Sequence, residues 1–123
     1  MQFWKTREVR YTMYDQDEIA INKMYIDITG DLIAGLLLNQ IVHWNLPSKK
    51  DGTKRSGEYL VKQRSDWYDE IRISKKQYDR AASILKKMDL VTIQVKKSAH
   101  YNGEIALHIK LNTEILMQKI NEN

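Results

Sequence analysis

The chain has no cysteine, a single proline, a single phenylalanine and five glycines among 123 residues. Without cysteine there can be no disulfide and no thiolate metal site, and a reducing compartment is permitted. No apolar run approaches the roughly 18 residues that would read as a membrane span, and the start has no signal-peptide pattern. A soluble, cytoplasmic chain is expected. Internal repeats, low-complexity tracts, a glycine-rich phosphate loop and a His-Glu-x-x-His run are also missing. His43, His100 and His108 have no spacing that would set ligands on one helix face, and the carboxylates scatter among lysines. No enzyme, metal or cofactor is therefore expected, and His43 reads as structural.

What the chain does have is positive charge in two blocks. The net charge is +4, but residues 1–48 hold four cations and six anions, whereas residues 49–64 hold six cations and two anions. Residues 65–71 carry three anions, and residues 72–97 carry eight cations against two anions. A focused basic surface is what a polyanion recognises.

The second basic block contains the most ordered pattern. Ser74 is a good N-cap, and Tyr78, Ala81, Ala82, Leu85 and Met88 then recur at spacings of three and four, giving one buried helical stripe. The opposite side carries Lys76, Arg80, Ser83 and Lys87. Ala81 and Ala82 allow another helix to approach closely.

The length suits a single domain, 1–123, with an arm over 1–28, a core over 29–111 and a C-terminal helix and tail over 112–123. In the arm, Phe3, Trp4, Val9, Tyr11, Met13 and Tyr14 suit a short strand or docking segment. Ile19, Ile21, Met24, Tyr25, Ile26 and Ile28 are expected against the core, with Tyr25–Ile28 as a short strand. Thr29 to Trp44 reads as a helix capped by Thr29 and nearly surrounded, because Leu32, Ile33, Leu36, Leu37, Leu38, Ile41, Val42 and Trp44 leave few polar positions. Asn45 to Gly57 is a break whose Lys49, Lys50, Lys54 and Arg55 form either a solvated loop or a flexible arm for phosphates. Glu58 to Lys62 suits a short strand. Arg64 to Glu70 suits a short helix with Ser65 as cap, Trp67, Tyr68 and Ile71 inward, and an acidic exterior of Asp66, Asp69 and Glu70.

After Met88 the period changes to two: Val91, Ile93 and Val95, then Ile105, Leu107, Ile109 and Leu111. These are the arms of a hairpin with Asn102-Gly103 at its tip. A two-residue turn would set Val95 opposite charged Lys110. A three-residue loop, Tyr101 to Gly103 with Gly103 left-handed, sets Val95 beside Ile109, Ile93 beside Leu111 and Lys97 beside Leu107, and is preferred. Asn112 or Thr113 can cap a last helix with Ile115, Leu116 and Ile120, which docks on the domain, pairs with a second copy or leads into more chain.

The run from Ile73-Ser74 through Arg80-Ala81-Ala82 to Leu85, Met88 and Leu90-Val91 resembles the L-S-x-x-x-V-x-R-A-L-x-x-L-x-x-x-G-L-I signature of bacterial winged helices. Asp89 stands where that signature has glycine. Gly30 to Asn45, with Asp66-Trp67, is similar to winged-helix domains of phages and plasmids of low-GC Gram-positive bacteria, among them replication-organiser (DnaD-like) and regulatory proteins. The resemblance covers Gly30 to Leu111. It implies an α+β winged helix-turn-helix with a β-hairpin wing and a short C-terminal helix. It also implies double-stranded DNA as partner, a role in replication initiation or transcription regulation, and a homodimer as one form. Helix 74–88 would enter the major groove, with Lys75, Lys76, Arg80 and Lys87 on phosphates or guanine edges and Gln77 and Ser83 as polar readers. Hairpin residues Lys96, Lys97, His100, Tyr101 and Asn102 would reach the backbone or minor groove. The alternative is a protein-interaction module on the same frame, serving replisome assembly or inhibition of a host protein.

Overall fold

The polar residues between apolar runs decide where each helix starts. In a computed structural model, which describes residues 18–122, Asn22 accepts the Met24 N–H and opens helix α1 (Lys23–Thr29). Tyr25–Ile28 is thus helical, not a strand: its apolar side chains pack one face against α2 (Leu32–Asn45) and so follow the helical period. Thr29 belongs to the end of α1, where its hydroxyl bonds back to the Tyr25 carbonyl, and Asp31 is the actual cap of α2. The arm expected over Phe3–Tyr14 lies outside the described residues.

α2 is the centre of the core. Leu37, Leu38 and Ile41 are almost wholly buried, and losing one such side chain typically costs about 2–5 kcal/mol. Its first turn is not surrounded, since Leu32 is 66% exposed. Gly35 is where α1 crosses α2: a β-carbon there would lie 2.6 Å from the Ile26 α-carbon. Only glycine allows that approach.

The Asn45–Gly57 break holds a short 3-10 turn and strand β1 (Arg55–Ser56), which pairs with β2 (Tyr59–Lys62). Helix α3 (Arg64–Ile71) follows. Its cap is Gln63, whose backbone N–H is held by the Asp66 carboxylate, rather than Ser65. Trp67 and Ile71 are buried, but Tyr68 is 52% exposed and lies under the Arg72 guanidinium. Arg72, Ile73 and Ser74 then turn the chain into α4 (Lys75–Lys87). Ser74 caps α4 reciprocally with Gln77. Tyr78, Ala81, Ala82 and Leu85 are buried as expected, and α4 packs chiefly on α2.

α4 ends in a Schellman turn. Leu90 N–H bonds to the Leu85 carbonyl and Asp89 N–H to the Lys86 carbonyl, with Asp89 left-handed at φ 60°. Strands β3 (Val91–Lys97) and β4 (Ile105–Leu111) complete a four-stranded antiparallel sheet of order β1-β2-β4-β3. Its register differs from expectation: Val95 pairs Leu107, Ile93 pairs Ile109 and Lys97 pairs Ile105. The connection is longer than three residues because Ser98 caps a 3-10 turn over Ala99–Tyr101, and Asn102-Gly103 is the exit of that turn. Gly103 is left-handed, as expected, at φ 83°. Val95, read as buried, and Ile105 are 60% and 61% exposed. Helix α5 (Thr113–Glu122) seats Leu116 in the core, with Ile115 and Ile120 packed against it.

Candidate nucleic-acid interface

The outer face of α4 is built by exclusion. Four apolar side chains take the inner face, which leaves Lys75, Lys76, Arg80, Lys86 and Lys87 exposed and Ser83 half-buried. Lys75, Lys76, Lys86 and Lys87 make no ion pair among the described residues. Lys86 was missed in the sequence, although its place beside Lys87 in the last turn, where cations favour the helix dipole, was the available signal. Gln77 is exposed, but its side chain is committed to the Ser74 N–H at 2.8 Å.

Arg80 is also committed. Its Nη1 and Nη2 donate to the two carboxylate oxygens of Asp31 at 2.8 and 3.2 Å. The Arg80 hydrogen bond, then the Ala34 amide, hold the Asp31 carboxyl below its ordinary pKa. Nothing local announces this pair, since its members come from different helices. A second cross-element pair joins Arg64 Nε to Asp79 at 2.8 Å.

The start of α4 faces the hairpin. Between them lies a groove of about 460 Å³, walled by Arg64, Ser65, Lys75 and Asp79 and floored by Val95, Ile105 and Leu107. Lys96 and Lys97 are exposed on β3, with Lys96 Nζ 5.9 Å from the Tyr59 ring centre.

The hairpin tip, by contrast, is fastened to the body. His100 Nε2 donates to the Arg55 carbonyl at 2.8 Å. The Tyr101 hydroxyl donates to Asp66, and Lys54 Nζ sits 4.0 Å over the Tyr101 ring. Burial, then the bond to Asp66, push the Tyr101 phenol above its ordinary pKa. Of the three expected tip contacts, His100 and Asn102 are exposed, Asn102 left-handed at φ 56°, and Tyr101 is half-buried. Arg55 likewise is not part of a loose arm: it donates to the Trp44 and Glu58 carbonyls and to Asn45.

The acidic exterior expected for α3 is reduced to Asp69. Glu70 turns inward, accepting hydrogen bonds from Gln40, Trp44 and Lys62. Lys62 in turn lies 5.1 and 4.9 Å from the Trp44 and Trp67 rings. Three of the roughly four lone-pair positions of the Glu70 carboxylate are thereby taken. Among the described residues no group of three or more histidines and carboxylates could hold a metal ion. No helix there is long and apolar enough to cross a membrane.

Comparisons with protein-family models, with curated proteins and with solved structures found no match to this chain.

Proposed function

We propose that the chain is a non-catalytic DNA-binding protein of winged-helix type, with α4 as the helix that enters the major groove and the β3–β4 hairpin as the wing. The observation that carries this reading is the outer face of α4, where Lys75, Lys76, Lys86 and Lys87 stand exposed and unpaired among the described residues. The order of elements supports it too: a buried helix, a short strand, a helix–turn–helix and a hairpin. The lysines of α4, with Lys96 and Lys97, supply sequence-independent attraction to phosphate. The role is in replication initiation or transcription regulation of phage or plasmid type, as the sequence resemblance implies.

Exposed Val95 and Ile105 favour a second reading, in which the hairpin side of the groove docks a protein. Salt dependence separates the two. Lys75→Ala with Lys76→Ala, both exposed, is expected to keep the wild-type melting curve, weaken binding to duplex DNA and flatten the salt slope by about two. Unchanged affinity in a folded double variant would sink the DNA reading.

A further inference from the structure

We propose that Asp31 determines sequence specificity by holding the Arg80 guanidinium in one orientation, so that Arg80 reads a guanine edge instead of gripping phosphate. The proposal rests on the DNA-binding reading above and assigns a role to a residue outside the α4 face.

Asp31 is itself fixed before it reaches Arg80. It is the N-cap of α2, and its Oδ2 accepts the Ala34 N–H at 2.9 Å. Its two oxygens then meet Arg80 end-on at 2.8 and 3.2 Å. Because α2 and α4 are packed together, the carboxylate is a rigid stop and not a mobile counter-ion.

A guanidinium carries five N–H donors in a planar fork. The end-on pair with Asp31 uses two of them. The side edge, made by Nε–H and one Nη–H, remains, and the Arg80 side chain is still 51% exposed. A two-donor edge matches the O6 and N7 acceptors that guanine presents in the major groove.

Charge points the same way. With Asp31 alongside, the pair is neutral and gains little from a phosphate, whereas the neighbouring lysines keep their full charge. The lysines therefore position the helix, and Arg80 contributes hydrogen-bond geometry. Released from Asp31, Arg80 would become one more mobile cation.

The experiment is site selection by the full chain from a duplex pool with a randomised centre, together with affinities at about 50 and 200 mM salt. It compares wild type, Asp31→Asn, Asp31→Ser and Arg80→Ala. Asn and Ser both retain capping ability, so at least one neutral variant should fold, as a melting curve will verify. Wild type is expected to enrich guanine at one position. The Asp31 variants should lose at least about fivefold of that enrichment, bind unselected DNA more tightly and steepen the salt slope by about one. Arg80→Ala should lose the same guanine preference with the slope unchanged.

If wild type binds DNA but enriches no guanine, the inference is overturned and DNA binding stands. If a folded Asp31 variant keeps both selection and slope, Asp31 is only a tie between helices. If wild type binds no duplex at all, the DNA-binding reading falls, and this proposal with it.

Discussion

Lys62 and Glu70 meet at 2.7 Å with their side chains only 11% and 16% exposed. Removing one member of such a pair strands the other charge out of water, which costs about 3–5 kcal/mol. Glu70→Ala is therefore expected to lose a large share of stability in urea unfolding. Replacing both, as Lys62→Met with Glu70→Leu, should cost less than Glu70→Ala alone. A double variant weaker than the single would mean that the contacts of Lys62 with the Trp44 and Trp67 rings outweigh its stranded charge.

Gly35→Ala tests the crossing of α1 and α2. The added methyl would meet Ile26 backbone and side-chain atoms at 2.6 to 2.8 Å, and backbone cannot swing aside. We expect a loss of about 1–3 kcal/mol in spite of alanine's better helix propensity. A more stable variant would show that α1 can lift away without cost.

Asp31 gives a pH dependence. Its carboxyl is held below the ordinary aspartate value of 3.8, first by the Arg80 hydrogen bond and then by the Ala34 amide. The unfolded chain therefore takes up the proton first. This contribution is complete above the ordinary value and declines as pH falls toward the lowered one. Acid unfolding of Asp31→Asn should lack that component, and identical acid profiles for the two proteins would contradict it.

Asp89 holds a left-handed conformation that glycine adopts without strain. Asp89→Gly is expected to raise stability by about 0.5–1 kcal/mol, the relieved strain less the extra chain entropy of glycine. Thermal melting decides it, and a lower midpoint would mean that the Asp89 side chain has a compensating role.

Elements whose signals are local were legible in the sequence. Ser74 with the Tyr78–Leu85 stripe marked α4 to within its observed ends, and the change to period two marked both hairpin strands. Misreadings came where two local signals competed. Thr29 and Asp31 both cap well, but Thr29 ends α1 with its hydroxyl on the Tyr25 carbonyl, which leaves the cap to Asp31. Asn102-Gly103 announced a tight turn, but Ser98 had already begun a 3-10 turn, so the register moved. The site was harder to read, because its ties are between distant elements. Neither Arg80 with Asp31 nor Tyr101 with Asp66 leaves any trace in periodicity or composition.

The last of these ties bears on kinetics. Asp66 holds the Gln63 amide at the start of α3 and also accepts the Tyr101 hydroxyl from the hairpin tip. One carboxylate thereby joins the beginning of α3 to the tip of the hairpin. A long hairpin would ordinarily sample many angles, and a partner would have to wait for, and freeze, the right one. Here that ordering is already complete when the chain folds. If the α4–hairpin face binds as proposed, encounter there should be limited by collision and orientation, with no slow step of its own for the hairpin.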